Sequence, residues 1–232
     1  MRRPPRYLVF SDVDETLIDC KSMFDFQRFQ LIRRHGERGR LLAESRRRQV
    51  QLDADAGVLR EEINRRYYRQ YAGEPADALM LLGRLWFAAA RAEPGFFVPG
   101  TLEALRQHRS AGAEIVLVSG SFPPCLAPIA QYLGAARVLC TDPEVREGRL
   151  TGEIREPVIG EGKRAAVRRL LAEHPRVDPQ DCFAYGDHPS DIPMLDCVGH
   201  PVAVGGHPEL LRYVAHRGTR MPSAPALAPA AG

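Results

Sequence analysis

The sequence predicts an α/β fold, a Rossmann-like parallel sheet with helices on both faces, interrupted early by an all-helical insert. Three observations predict it. A short apolar run near the N-terminus, YLVFS, leads straight into a pair of acids, Asp12 and Asp14. From about residue 95 onward, apolar runs of strand length alternate with helical patterns, as βα units of a parallel sheet do. Between those regions, apolar residues recur at helical spacing.

The elements follow in order. Residues 7–11 form the first, buried strand. Met23, Phe24, Phe26, Phe29 and Ile32 predict a helix over 23–34. A polar, Arg-rich segment through Gln49 follows, read as a solvated helix face. VLREEINRRYYRQYAG and PADALMLLGRLWFAAARA predict two more helices, broken apart at Gly73-Glu74-Pro75. Tyr67, Tyr68, Tyr71 and Trp86 are assigned to the core of the insert, which covers residues 20–94. Beyond it, 101–110 is a helix, EIVLVSG a strand, 124–133 a helix and ARVLC a strand. EVREGRLTGEI is a small hairpin turned at Glu147-Gly148. GKRAAVRRLLAEH is a helix, DCFAYGD and HPVAVGG are strands, and PELLRYVAHRG is a closing helix. The sheet-bearing core is thus expected over residues 1–19 and 95–220. Residues 221–232 are Pro/Ala-rich and are expected to form a disordered tail.

At 232 residues the chain is long enough for a full core. Its net charge of +3 is too small to argue for nucleic acid or an anionic membrane as the main partner. Five scattered cysteines without a C-x-x-C pair fit reduced thiols better than a disulfide or zinc framework. The basic start, MRRPPRYLVF, carries too short an apolar run for a secretion signal. No segment approaches the ~18 apolar residues of a membrane span. These features together predict a cytoplasmic protein. Nearly every basic residue is Arg; Lys21 and Lys163 are the only lysines.

In an open parallel sheet, ligands bind outside the carboxyl ends of the strands. Three strands here carry polar residues at that end. The first gives Asp12 and Asp14. The second gives Ser119, followed by Gly120 and Ser121. DCFAYGDHPSD gives Asp187, then Ser190 and Asp191. Lys163 opens the helix after the hairpin. Structural alternatives exist for the single features: Ser119 and Asp191 could cap helices, and Lys163 could be a solvated first-turn residue. Together the set can perform phosphoryl transfer. Oxygen ligands from Asp12, Asp14 and Asp187 suit a hard cation such as Mg²⁺. A carboxylate can attack phosphorus, and a second can protonate the leaving alkoxide and later activate water. Ser119, the Gly120 N–H and Lys163 can hold or balance phosphoryl charge.

These motifs resemble those of the haloacid dehalogenase superfamily of phosphatases, in the helical-cap branch (subfamily IB) that includes phosphoserine phosphatases. Asp-x-Asp-x-Thr is met by Asp12, Asp14 and Thr16. The strand-end Ser is Ser119 in LVSGSF, the basic residue is Lys163 in GEGKRAA, and the acidic motif is Asp187 and Asp191 in YGDHPSDIPML. The resemblance covers roughly residues 7–218, with all four motifs in order. It implies Asp12 as nucleophile and metal ligand, and Asp14 as general acid/base with its backbone carbonyl on the metal. It implies Asp187 as a direct ligand of Mg²⁺, with Asp191 supporting the metal or its waters. Ser119 and Gly120 would bind phosphate, Lys163 would stabilise the pentavalent arrangement, and Thr16 would fix the loop geometry. Dehalogenase members lack the second acid, so Asp14 favours phosphate esters over carbon–halogen bonds.

Two positions depart from the pattern. Phosphoserine phosphatases carry a Glu nine residues after the nucleophile, where this chain has Lys21. That reversal disfavours phosphoserine and suggests contact with a second anionic or polar substrate group. His188-Pro189 stands where small residues are usual, which alters the pocket rim; Ser190 is a candidate for its wall. The resulting expectation is Mg²⁺-dependent hydrolysis of a small soluble phosphomonoester. Phosphotransfer to an alcohol, or a non-enzymatic phosphoacceptor module, are the alternatives.

Overall fold

Residues 5–221 are described by the computed structural model. The strands are β1 (Leu8–Ser11), β2 (Glu114–Ser119), β3 (Arg137–Cys140), β4 (Pro143–Arg146), β5 (Arg149–Ile154), β6 (Phe183–Gly186), β7 (His200–Val204) and β8 (Thr219–Met221). Six of them form one sheet in the order β3-β2-β1-β6-β7-β8, every pairing parallel. β1 is central, which explains its unbroken apolar sequence. Leu8, Val9 and Phe10 are all fully buried, because a parallel strand in mid-sheet has helices over both faces. Leu8 and Phe10 pack on one side with Val116, Val118, Val167 and Leu210. Val9 faces the other side, with Ile115, Leu117 and Leu105. Each such buried side chain contributes about 1.5–3 kcal/mol.

The helical insert follows β1 as α1 (Ser22–His35), α2 (Glu37–Asp55), α3 (Arg60–Arg69) and α4 (Ala76–Ala90). The remaining helices are α5 (Pro99–Ser110), α6 (Pro123–Leu133), α7 (Glu161–Ala172), the short α8 (Ile192–Leu195) and α9 (Pro208–Val214). The Arg-rich stretch is helical as expected; in α2 only Gly39 and Ala43 are buried, so most of its charged surface faces solvent. Tyr67, Tyr68, Tyr71 and Trp86 are at most 2% exposed and form the aromatic heart of the insert. That heart continues into the sheet domain through Phe122, which meets Phe26, Tyr68 and Tyr71 at ring-centroid distances of 5.6, 5.4 and 5.5 Å. The first two are edge-to-face, a geometry that adds about 0.5–1.5 kcal/mol each beyond burial.

β4 and β5 pair antiparallel as a hairpin. Glu147 and Gly148 have φ of 50° and 75°, so both turn residues lie in the left-handed region that tight hairpin turns demand. The hairpin braces the helical insert: Gly73 N–H donates to the Leu150 carbonyl (2.8 Å) and Leu150 N–H to the Glu74 carbonyl (2.9 Å). Two elements were not foreseen, the single-turn helix α8 and a last strand. Thr219–Met221 forms β8 at the sheet edge, although Met221 was assigned to the tail. Three residues are too few to carry a periodic signal. The rest of the expected tail, residues 222–232, lies outside the described residues. Among the described residues no helix is long and apolar enough to cross a membrane.

Candidate active site

The site is built where three strands end side by side. Ser11 is in register with Leu117 of β2 and Tyr185 of β6. The chain therefore leaves β1 between its two neighbours, and Asp12 N–H donates to the Tyr185 carbonyl at 2.9 Å. The next residues fold back at once. Leu17 and Ile18 N–H groups both donate to the Val13 carbonyl (2.9 and 3.0 Å), and Glu15 takes a φ of 65°. A left-handed non-glycine residue costs on the order of 1 kcal/mol and is retained where the surroundings dictate it. Here the turn sends Asp12 and Asp14 in different directions. Thr16, fully buried, locks it by donating its hydroxyl to Asp187 Oδ1 at 2.9 Å, with Asp12 Oδ2 at 3.4 Å.

Asp12, Asp187 and Asp191 come together with one carboxylate oxygen from each inside a 4.8 Å span. Lys163, in the first turn of α7 and only 4% exposed, lies 2.6 Å from Asp12 Oδ1 and 2.6 Å from Asp191 Oδ1. Asp191 has a second duty. Its Oδ2 accepts the backbone N–H groups of Asp187 (3.2 Å) and His188 (3.1 Å), which shapes the loop after β6. This close packing explains Gly186: a Cβ there would lie 2.6 Å from the Asp191 Cβ.

Lys163 touches two of the three carboxylates, Asp12 and Asp191, and the crowding shows in the acidities of Asp12 and Asp187. Burial, then Asp12 and Asp191, push Asp187 up to about 8. Burial raises Asp12 too, against the pull of Lys163. Burial disfavours the Lys163 charge, yet the two carboxylates outweigh it and hold the amine firmly protonated. An all-oxygen donor set with surplus negative charge fits a hard divalent cation such as Mg²⁺.

Asp14 stands apart from that cluster. Its Oδ1 accepts the Ser22 N–H at 3.1 Å, at the N-terminus of α1, where a carboxylate is favoured. Burial and the charge of Asp12 nevertheless push it up to about 6. Ser22 also donates its hydroxyl to Ser121 Oγ at 2.9 Å, tying α1 to the loop after β2. In that loop the Ser121 N–H donates to Ser119 Oγ at 3.0 Å.

All ten residues named from the sequence, except Thr16, line one cavity of about 490 Å³ between the sheet ends and the helical insert. Lys21 lines it with its ammonium 2.5 Å from Glu15 Oε2, on a half-exposed rim. Ser190 lines it too, with its N–H and hydroxyl both 3.0 Å from His188 Nδ1. Sequence reasoning missed the contributions of the insert itself. Arg47, Arg60 and Asn64 also line the cavity, and Arg60 Nη1 donates to the His188 ring at 2.9 Å. Arg47 sat inside the Arg-rich run already noted; nothing in the sequence marked Asn64.

Known proteins resemble this chain in sequence and in fold. A probable phosphatase of Mycobacterium tuberculosis is 35% identical over 116 residues, which are 50% of this chain and 40% of that protein. The chain thus covers less than half the length of the curated relatives it matches. A Bordetella pertussis protein of unknown function superposes with a TM-score of 0.80 at 26% identity, over 94% of this chain and 99% of that one. A substrate-bound phosphoserine phosphatase shares the fold at 19% identity and a TM-score of 0.65, covering 94% of each chain. The family profile for haloacid dehalogenase-like hydrolases matches residues 9–196, from within β1 to just past Asp191, and the chain belongs to that family.

Proposed function

We propose that the protein is a phosphatase that hydrolyses a small phosphomonoester in two steps on Asp12. The carrying observation is that a buried carboxylate, Asp12, held by Lys163, shares a cavity with a separately anchored Asp14 and with Ser119. An Asp12 oxygen attacks phosphorus and the ester P–O bond breaks. Asp14, whose pKa burial pushes up to about 6 so that it can hold a proton, gives that proton to the departing alkoxide. Asp14 then takes a proton from water, which attacks the aspartyl-phosphate and frees Asp12 and inorganic phosphate. The Ser119 hydroxyl and the Gly120 N–H hold the phosphoryl oxygens, and Lys163 balances their charge.

Asp12, Asp187, Asp191 and the Asp14 backbone carbonyl would hold Mg²⁺, which supplies charge neutralisation at the phosphoryl group. We assign residues 20–94 as a cap that excludes water and selects the leaving group, and residues 1–19 and 95–220 as the catalytic core. Lys21, reversed in charge from the phosphoserine enzymes, supports a substrate other than phosphoserine. Five free cysteines and a mild net charge support a cytoplasmic enzyme acting on a small molecule.

The test is a screen of phosphorylated metabolites with Mg²⁺, the parent run beside Asp12→Asn. Hydrolysis by the parent, absent in the variant, supports the reading. Equal release of phosphate by both would refute it, and transfer to an added alcohol in place of water would favour a phosphotransferase.

A further inference from the structure

The cap helix α3 reaches past the substrate cavity and grips the loop after β2. Asn64 Nδ2 donates to the Gly120 carbonyl at 2.9 Å, and the Tyr68 hydroxyl donates to the same oxygen at 3.0 Å. Both residues are buried, Asn64 4% exposed and Tyr68 fully covered. Two side chains one turn apart thus converge on a single backbone oxygen from another domain, using both its lone pairs.

That oxygen belongs to the peptide linking Gly120 to Ser121. The N–H of the same peptide is the donor to Ser119 Oγ at 3.0 Å. Donors on the carbonyl fix the peptide plane, and they polarise its N–H. Once Ser119 Oγ accepts that N–H, its own proton must point elsewhere. Among the described residues it is donated to no protein acceptor, and Ser119 lines the cavity. The consequence is a serine hydroxyl presented as a donor to whatever anion the cavity holds.

Asn64 also carries a cost that stability alone does not repay. Its Oδ1 is buried without a hydrogen-bond partner. The Gly120 carbonyl sets the orientation of the amide, since a carbonyl can only accept and Nδ2 must face it. A buried orphan acceptor is unfavourable, and an apolar residue of the same size would remove the penalty. The amide is therefore held for what Nδ2 does.

We propose that Asn64 and Tyr68 are positioning residues of the cap, which act through the Gly120–Ser121 peptide to aim the Ser119 hydroxyl at bound phosphate. The assignment rests on the phosphate-binding role of Ser119 given above, and it couples the seating of the cap to phosphate affinity. No covalent step is involved.

Inorganic phosphate, titrated calorimetrically into the full chain with Mg²⁺, reads this without turnover. Tyr68→Phe keeps the ring and removes one donor, and it should weaken phosphate binding about fivefold. In a Ser119→Ala background the same substitution should change binding by less than about twofold, because its route is gone. Asn64→Leu should likewise weaken phosphate binding while melting no lower than the parent, since it also removes the orphaned Oδ1. Additive losses in the Tyr68/Ser119 cycle would overturn the proposal. So would unchanged phosphate affinity in both single variants, or no phosphate binding by the parent. Phosphate binding that follows the cycle, in a protein that hydrolyses no ester, would uphold the relay and refute the hydrolytic reading instead.

Discussion

Lys163 offers the sharpest test of the charge balance in the site. Lys163→Met keeps most of the aliphatic stem and deletes the ammonium that lies 2.6 Å from both Asp12 Oδ1 and Asp191 Oδ1. At an effective dielectric of about 20, each such contact is worth about 6 kcal/mol before desolvation is counted. Burying an ammonium costs several kcal/mol, and so does burying each carboxylate. Breaking a buried pair by removing one partner costs about 3–5 kcal/mol net, and here two buried carboxylates lose their shared counter-charge. The variant should therefore be destabilised by about 3–5 kcal/mol in EDTA, measured as the shift in urea midpoint at constant slope. Mg²⁺ changes the comparison in a definite direction. The ammonium and the metal compete to neutralise the same carboxylates, so removing one strengthens the other. At a hundred times its dissociation constant, the ion adds about 2.7 kcal/mol to the parent. It should add at least about 1.4 kcal/mol more to the variant, a tenfold tighter site. A variant within about 1 kcal/mol of the parent in EDTA, or an equal Mg²⁺ increment in both, would refute the electrostatic account.

Other expectations follow from single contacts. Asp14→Asn should leave Asp12 able to attack but water unactivated, so phosphate from an activated aryl ester should accumulate on the protein; mass spectrometry showing no +80 Da species (~80, one added PO₃H unit) would count against the two-carboxylate division of labour. Lys21→Glu should lower kcat/KM for the best substrate of the screen much more than for an aryl phosphate, and equal losses would remove Lys21 from substrate recognition. Gly186→Ala forces a Cβ to within 2.6 Å of the Asp191 Cβ, which should cost about 1–3 kcal/mol and weaken Mg²⁺ binding; unchanged calorimetric affinity would show that Asp191 is free to move. His108 is held between the Tyr7 and Tyr185 hydroxyls (3.0 and 2.9 Å), and burial lowers its pKa below 6.5. The unfolded chain then binds the extra proton first, so this contribution is complete above about pH 6.5 and is lost as pH falls through the lowered folded value. His108→Gln should flatten the acid limb of the stability profile, and an unchanged limb would assign it to other groups.

The sheet was legible because a parallel sheet buries both faces, so its strands are written as unbroken apolar runs such as LVF and IVLV. Their carboxyl ends were legible too, since the runs of β1, β2 and β6 lead directly into polar residues that share one end of the sheet. Asp12, Ser119 and Asp187 were found in that way. The helices of the cap were read correctly as helices, and the solvated face of α2 followed from its charge. What stayed hidden depended on rotation and distance rather than on type. β8 is three residues long and owes its pairing to Val202, Ala203 and Val204 of β7, not to a pattern of its own. Lys21 could be singled out by its rarity, but that it meets Glu15 could not, because the left-handed turn at Glu15 is a tertiary result.

Asn64 shows why the cap is harder to read than the core. In α3 the apolar-to-polar pattern assigns Tyr67 and Tyr68 to the interior, and an Asn one turn before Tyr68 looks like solvent-facing surface. It is inside because the cap packs against a polar object, the backbone of the loop after β2. A helix seated on a carbonyl needs donors on its buried face, and hydrophobic periodicity has no term for that. The signal lies instead in the mismatch: an amide in a position whose neighbours are Tyr and Ile, with one end satisfied and the other orphaned. Where a domain contacts the main chain of a catalytic loop, the residues that matter are the polar exceptions on its apolar face. Here the aromatic cluster around Phe122 supplies the adhesion between cap and core, whereas Asn64 and Tyr68 supply the alignment. In the proposed relay, alignment of that one peptide turns the Ser119 hydroxyl into a hydrogen-bond donor toward bound phosphate.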